Sequence, residues 1–343
     1  MEQVSIIGID ISKKSFQLHG ATSEGSPVFR KKLSRGRFLT FLCEVPPCLV
    51  VMEACGGAHH WGRQIIALGH ACKLIPPIYV KPYLKRQKND SNDAAAIVEA
   101  AQRPTMRFVA VKSEEAQADS MLFRTRALLV RQRTQSINSL RGHLAEFGLI
   151  AAQGTGSIAV LRLELATVKE GLPEQVISMS RLLLEQIAVL NEQITDLDKE
   201  IRSRSRTHEE MKRLMTIPGI GPNCAMAVQA FAPPMESFGC GRDFAAWIGL
   251  TPKQHSTAGK QKLGRITKMG QRDLRRLLVL GATAVLQHRR KCPELDDPWL
   301  RRMIAEKPPK LVAVALANKM ARIIWALSVK KEPYRAPAAA GAG

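Results

Sequence analysis

The chain has 343 residues, of which 45% are hydrophobic, and its 51 Lys and Arg outnumber its 30 Asp and Glu, giving a net charge of +21 at pH 7. This length and hydrophobic content predict a folded protein of two or three domains and exclude general disorder. Such an excess of positive charge favours a polyanionic partner, most commonly nucleic acid, over a membrane surface. The sequence shows neither a signal-peptide pattern nor a long uncharged apolar run, so we expect a cytoplasmic protein with no membrane partner.

The cysteines predict neither disulfides nor zinc. The seven cysteines form no C-x-x-C pair and no cluster with histidine at zinc spacing. A disulfide framework or a structural zinc ion would need cysteines in such patterns. We therefore expect reduced thiols.

Residues 1–112 are predicted to form an α/β domain. Three short β-rich runs, Val4 to Ile11, Ser15 to Ala21 and Pro27 to Leu33, are separated by turn residues and predict an antiparallel meander. Helix and strand then alternate as far as about residue 77, and one buried strand ends at Glu53. Asp10 and Glu53 thus lie at or near strand ends, where the functional groups of open α/β sheets gather.

Two further acids open an alanine-rich helix in the stretch KNDSNDAAAI, at Asp90 and Asp93. Asp90 suits a helix N-cap and Asp93 the third helical position, and this capping box is the common structural explanation. The same geometry places both carboxylates on one side of the helix, one turn apart, where they would point toward a shared metal ion. Capping and metal binding are compatible.

Residues 113–207 are predicted to be helical. One long helix, Glu114 to Phe147, contains an acid-free segment with five arginines: Arg124, Arg126, Arg131, Arg133 and Arg141. A solvated helix face is the simple explanation. However, an all-positive helix repels itself unless phosphates neutralise it, which favours nucleic-acid contact.

The next helical stretch carries a heptad pattern. Its apolar residues alternate at spacings of four and three: Leu183, Ile187, Leu190, Ile194, Leu197 and Ile201. Such a seam needs a partner helix. The partner is either a second copy in a parallel dimer, the default for isoleucine at a and leucine at d, or the preceding long helix in an antiparallel hairpin.

Residues 208–335 form a third predicted domain, mainly helical. Its turn at Pro218 to Gly221 resembles a helix-hairpin-helix, in which backbone amides approach a phosphate. A polar, loop-like segment from Thr251 to Arg276 holds eight Lys or Arg against one acid, and apolar helices follow. Residues 336–343 are predicted to be a disordered tail.

The four acids have a physical use in a basic protein. Carboxylates beside a polyanion-binding surface repel the ligand unless divalent cations intervene, and two Mg²⁺ ions roughly 4 Å apart would activate an attacking oxygen and stabilise a leaving one. Ribonuclease-H-like folds place acids on two strands and a following helix in this way.

Six motifs carry a family resemblance: IGIDISK, MEACGGAHHWG, KNDSNDAAAI, GIGPNCA, WIGLTPKQHSTAGKQKLGRITKMGQRDLRRLL and VALANKMARIIWAL. In this order they resemble the DEDD/serine transposases of the IS110 insertion-sequence family, particularly its IS1111 branch. The resemblance runs from about residue 4 to 330. It implies an N-terminal RuvC-like, ribonuclease-H-like domain, a coiled-coil middle and a C-terminal serine transposase domain. It further implies DNA recombination at element ends and target, directed by a structured non-coding guide RNA. The homo-oligomer, a dimer or tetramer, would combine two subunits in each active site.

The resemblance places the Mg²⁺-binding catalytic tetrad on Asp10, Glu53, Asp90 and Asp93, and the nucleophile on Ser256. The family pattern has two hydroxyl residues followed by two glycines, whereas Ala258 replaces the first glycine here. Thr257 is the competing nucleophile, but a primary hydroxyl is less hindered than a β-branched one. The neighbouring cations suit phosphate binding during phosphoryl transfer: they are Lys260, Lys262, Arg265 and Lys268.

Three other functions fit parts of the sequence. A hydrolytic RuvC-like nuclease would need the acids but not the serine. An actin-like sugar kinase would explain GIDIS, although the charge and the absence of a later Gly-rich nucleotide loop disfavour it. A non-enzymatic nucleic-acid-binding protein would use the acids only for capping and solvation.

Overall fold

The computed structural model describes residues 4–84, 90–152, 154, 156–167, 172–255, 257, 260, 262–289 and 298–335, with the backbone alone at 90, 91, 157 and 289. Ser256, Ala258 and the predicted tail at 336–343 lie outside the described residues. The chain divides into two compact units, Met1–Gln117 and Ala118–Gly343.

The first unit is built on a five-stranded sheet. Its strands are β1 (Ile6–Ile11), β2 (Ser15–Ala21), β3 (Pro27–Ser34), β4 (Leu49–Glu53) and β5 (Ala71–Ile75), in the order β3-β2-β1-β4-β5. The pairs β1–β2 and β2–β3 are antiparallel, which confirms the predicted meander, whereas β1–β4 and β4–β5 are parallel. The carboxyl ends of β1, β4 and β5 therefore lie at one edge of the sheet.

Helices cover both faces of this sheet. They are α1 (Arg35–Glu44), α2 (Ala58–Ala67), α3 (Pro77–Val80), a 3₁₀ turn (Lys81–Tyr83) and α4 (Asp90–Ala101). On one face Phe16 of β2 packs edge-to-face on Phe38 of α1 and Trp61 of α2. On the other face Ile97 of α4 belongs to a separate buried cluster with Ile6. The predicted mixed α/β class of the N-terminal region is confirmed.

Over its described residues, the second unit is helical apart from one hairpin. Its elements are α5 (Glu114–Ala145, which starts before the unit boundary), α6 (Ser157–Thr167), α7 (Glu174–Thr207), α8 (Glu209–Met215), α9 (Pro222–Phe231), α10 (Gly241–Ile248), β6 (Pro252–Gln254), β7 (Leu263–Ile266), α11 (Arg272–Arg289), α12 (Pro298–Glu306) and α13 (Pro309–Lys330). A short 3₁₀ turn lies at Met235–Ser237. The predicted helical C-terminal part is confirmed.

The heptad seam of α7 packs against α5 of the same chain. Leu184 and Ile187 of α7 share a buried cluster with Leu140 and Leu144 of α5. Farther along, the two helices run antiparallel, because Asp119 of α5 pairs with Arg204 of α7 while later residues of α5 pair with earlier residues of α7. Of the two predicted partners, the structure therefore has the antiparallel hairpin, and the seam gives no support to a parallel dimer.

Helix α13 lies in the core of the second unit. It is the helix of the described chain whose length and mean hydropathy of 1.5 would allow a membrane span. Its residues Val312, Ala317 and Ile324 are fully buried with residues of α9, α10 and α11. Packing in a protein core accounts for this apolar composition.

The glycine-rich turn between α8 and α9 packs on α11. Gly219 has φ +85, and a Cβ there would lie 2.8 Å from the carbonyl oxygen of Gly281. Ile217 and Ile220 on either side are buried. Close backbone packing thus explains this glycine, and the predicted approach of the turn to a phosphate stays a prediction.

Candidate nucleic-acid-processing site

Asp10 and Glu53 lie at the carboxyl ends of adjacent parallel strands. The pairing of β1 with β4 runs to Ile9 opposite Met52, and the two acids are the next residues along. Side chains alternate between sheet faces, so Asp10 lies on the same face as Ile6, which packs on the side of α4. Both acids are half-buried.

A glycine brings α4 onto this face. A Cβ at Gly8 would lie 2.6 Å from Cγ2 of Val98 and closer still to the carbonyl oxygen of Ala94. Only glycine permits such an approach between strand and helix. Because Asp93 precedes Ala94 and Asp10 follows Gly8 on the same face, the contact brings these two acids toward each other.

The acids repel one another. Burial raises the pKa of Glu53, and the negative charges of Asp10 and Asp93 raise it further, whereas Lys81 opposes this shift. Burial also raises the pKa of the Cys55 thiol, with Glu53 and Asp10 adding to the effect. The structure thus groups three of the four predicted acids and adds Lys81 to them. No sequence motif indicated Lys81; its one signal is that it follows soon after a predicted strand.

The grouping is not a closed metal site among the described side chains. The backbone of Asp90 starts α4, but its side chain lies outside the described atoms. In the part of the chain that is described, no three His, Cys, Asp or Glu side chains are arranged to hold one ion. The metal roles of Asp10, Glu53, Asp90 and Asp93 therefore remain predictions.

The segment around Ser256, which was predicted to be a loop, is flanked by the two paired strands of a β-hairpin. Strand β6 pairs antiparallel with β7, and the N–H of His255 donates to the carbonyl oxygen of Lys262 at 2.8 Å. At its tip the N–H of Lys260 donates to the carbonyl oxygen of Thr257 at 3.0 Å. The loop prediction was wrong at both ends of this segment, because cross-strand pairing forms the strands and a polar sequence does not reveal such pairing. The predicted cations are exposed: Lys260, Lys262, Arg265 and Lys268.

The base of the hairpin is held by groups that the sequence analysis missed. Gly249 has φ +81, and a Cβ there would lie 2.8 Å from the nitrogen of Met269. The guanidinium of Arg275 donates to the carbonyl oxygen of Ile248 at 2.7 Å and to that of Met269 at 3.0 Å. Arg275 thereby ties α11 to both chain segments that flank the hairpin.

Arginines of α5 have partners within the chain. Arg126 makes two hydrogen bonds to the carboxylate of Asp198, at 2.7 and 3.0 Å, and Arg133 donates to Asn191 at 3.0 Å. The argument that only phosphates neutralise this helix is therefore wrong for Arg126, because α7 supplies the acid. Arg124 and Arg131 are exposed, seven residues apart on one face.

Comparisons with known proteins give the family of the chain. One family model, described as a transposase of the DEDD type found in IS110 elements, matches residues 7–148, and a second, described as the transposase IS116/IS110/IS902 family, matches residues 211–299. A putative transposase y4pF/y4sB of Sinorhizobium fredii is 47% identical over 98% of this chain and 87% of its own length. The transposase for insertion sequence element IS1111A of Coxiella burnetii is 39% identical over 98% of this chain and 92% of its own length.

The matches and the acidic sheet edge define a transposase, an enzyme that acts on DNA. A probable family 20 transposase of Pseudomonas aeruginosa, 44% identical, matches 97% of this chain and 99% of its own length. The chain belongs to the IS116/IS110/IS902 family of insertion-sequence transposases. The family expected from the six motifs is confirmed.

Proposed function

We propose that this transposase cuts and rejoins DNA with a divalent-metal site at Asp10, Glu53, Asp90 and Asp93 and with Ser256 as nucleophile. The observation that carries the proposal is the grouping of Asp10, Glu53 and Asp93 at one edge of the sheet, inside a protein of net charge +21. Neighbouring carboxylates beside a polyanion need a cation to offset their charge.

The donor chemistry fits Mg²⁺. Carboxylate oxygens are the hard ligands that Mg²⁺ prefers, and a DEDD domain typically implies a divalent metal. Burial raises the pKa of Glu53 and the charges of Asp10 and Asp93 add to this effect, and a bound cation would oppose both. When bound, Mg²⁺, two ions in our proposal, would supply Lewis-acid activation and charge neutralisation at the phosphate.

The remaining steps belong to the chain's own residues. Oγ of Ser256 forms a bond to the DNA phosphorus as its proton passes to solvent. The bond from phosphorus to the leaving DNA oxygen breaks, and that oxygen takes up a proton from solvent and leaves as a hydroxyl. The resulting phosphoserine keeps the bond energy for rejoining. Exposed cations on and beside the hairpin would hold the phosphate oxygens: Lys260, Lys262, Arg265 and Lys268. Thr257 is the alternative nucleophile.

The finer fold and partners are part of the proposal. A meander followed by parallel strands, with an acid on the first and fourth strands, supports a RuvC-like domain of the ribonuclease-H type. The net charge of +21 supports binding of both DNA and a structured guide RNA. Of the arginines on α5, Arg124 and Arg131 are the ones that we propose to contact nucleic acid. A homo-oligomer, dimer or tetramer, is proposed from the family resemblance alone, and light scattering tests it.

One cleavage assay separates the alternatives. On element-end DNA with its flanking non-coding RNA, we expect wild-type protein to form a covalent protein–DNA adduct with Mg²⁺ or Mn²⁺ and none in EDTA. Asp10→Asn and Ser256→Ala should each abolish the adduct, while Glu24→Gln, an exposed acid in the β2–β3 turn, should not.

The outcomes of this assay test the metal site, the type of cleavage and the identity of the nucleophile. Full activity in EDTA would refute the metal site. Strand cleavage that survives Ser256→Ala without an adduct would identify a hydrolytic nuclease, and an adduct that moves with Thr257→Ala would assign the threonine.

A further inference from the structure

A small pocket opens in the first unit between the segment after β5 and the segment after α4. Its cavity volume is about 260 Å³, and its walls include Tyr79, Pro82, Tyr83, Arg103, Met106 and Arg107. No motif of the sequence analysis covers these residues. Among the described residues, those that line the pocket include two tyrosines and two arginines and no acid.

The walls are of a kind that binds nucleic-acid bases. The guanidinium carbon of Arg103 lies 5.8 Å from the ring centroid of Tyr83, and its Nε donates to the carbonyl oxygen of Glu99 at 3.2 Å, which fixes its direction. Tyr79 is 40% exposed and Arg107 is exposed. Tyrosine rings and arginine planes stack on unpaired bases, and arginine also binds the adjoining phosphate.

One wall of the pocket continues from the sheet edge that carries the acids. Strand β5 pairs with β4 so that Ile75 is opposite Glu53, and the N–H of Ala54 donates to the carbonyl oxygen of Ile75 at 2.8 Å. The segment that carries the two tyrosines, Pro77–Tyr83, leaves β5 directly at this point and packs on α4. The other wall, at Arg103 to Arg107, follows the C-terminal end of α4, about 12 Å along the helix from Asp93 at 1.5 Å per residue. A strand whose phosphate lies at the acids would reach the pocket by running along α4.

We propose that this pocket holds one unpaired base of the DNA strand that is presented to the acids, stacked on Tyr79 or Tyr83 with its phosphate at Arg107. The proposal rests on the proposed function, because the acids define which strand passes here. A cavity of about 260 Å³ suits a single base and not a base pair in a duplex, and enzymes that act on DNA commonly take bases out of the stack. DNA is favoured over RNA because DNA is the strand that a transposase cuts.

Base stacking is tested directly with a fluorescent base. The probe is a six-nucleotide single-stranded DNA with one 2-aminopurine, titrated with full-length protein in EDTA. We expect its fluorescence to be quenched by wild type, Tyr79→Phe and Tyr83→Phe. In Tyr79→Leu, Tyr83→Leu or the double variant the quenching should be lost and the dissociation constant should rise about five- to 150-fold, since stacking supplies that range per base.

An arginine pair controls for charge. Arg107→Ala should lower the slope of log affinity against log salt by about 0.7, the value of one phosphate contact on a single strand. Arg37 is exposed on α1, which covers the opposite face of the sheet, and Arg37→Ala should change the slope less.

Each other result overturns the proposal. Quenching that persists in the folded double leucine variant would exclude stacking, and equal losses in the Phe and Leu variants would show that the tyrosine hydroxyls act and not the rings. A larger effect on the same sequence in RNA would exclude DNA as the occupant, and equal slopes for Arg107→Ala and Arg37→Ala would exclude the phosphate contact. Because the assay contains no divalent ion, it is independent of cleavage. A wild-type protein that cleaves DNA but does not quench the probe would contradict the pocket alone.

Discussion

The contact between Gly8 and α4 makes the geometry of the acids sensitive to one methyl group. In Gly8→Ala the new Cβ would lie 2.6 Å from Cγ2 of Val98, against about 3.4 Å for an ordinary contact, and the backbone oxygen of Ala94 is closer still. Helix α4 must therefore move by at least about 0.8 Å. Overpacking of this kind costs about 1–3 kcal/mol, and a displacement near 1 Å in a reacting group costs about 100-fold in rate.

The assay compares thermal unfolding with DNA cleavage. Gly36→Ala is the matched control, because a Cβ at Gly36 on α1 meets no atom within 4 Å, and it should lose neither stability nor activity. Adding Val98→Ala to Gly8→Ala should restore only part of both, since the Ala94 carbonyl still blocks the methyl. Wild-type stability and activity in Gly8→Ala would refute the close approach of α4. Lost stability with full activity would show that the acids do not depend on the position of α4.

Two further predictions follow from the charges and the core. Lys81→Gln should raise the pKa of Glu53 further, because the charge of Lys81 lowers it. As the pH falls, Mg²⁺-dependent cleavage should therefore disappear at a higher pH than in wild type. An unchanged acid limb of the pH profile would contradict the interaction between Lys81 and Glu53. Leu190→Lys should unfold the helical unit, as measured by circular dichroism, because Leu190 is buried within the chain. Val189→Lys, at a residue 51% exposed, should leave it folded. A Leu190→Lys protein that stays folded but forms a smaller assembly by light scattering would instead show that the seam is a dimer interface.

Local patterns in the sequence were sufficient for most elements of the first unit. Short β-rich runs separated by turn residues predicted the meander, and the structure has the second strand at Ser15–Ala21 as expected. The long helix predicted from Glu114 ends at Ala145, two residues before the expected Phe147. Such elements are set by periodicity and turn residues close in the chain, which a single sequence displays.

The candidate site was predictable by its chemistry and not by its surroundings. Asp10, Glu53 and Asp93 stand out because acids in a basic protein need an explanation, and the structure groups them. Lys81 and the tyrosine–arginine pocket did not stand out, since neither has a motif. Their relevance comes from the pairing of β4 with β5, which brings the segment after Ile75 beside Glu53.

The sequence by itself determined the family, the residue types of the site and the period of each helix, because these depend on the order of residues along the chain. Only the tertiary structure decided which partner covers the α7 seam and which charges on α5 are already paired. Arg126 and Asp198 are 72 residues apart, and Gly8 meets α4 through contacts 86 and 90 residues along the chain, at Ala94 and Val98. An amphipathic stripe predicts that a helix face is buried, but it does not predict which element covers that face. Close packing between segments that are distant in sequence determines the partner.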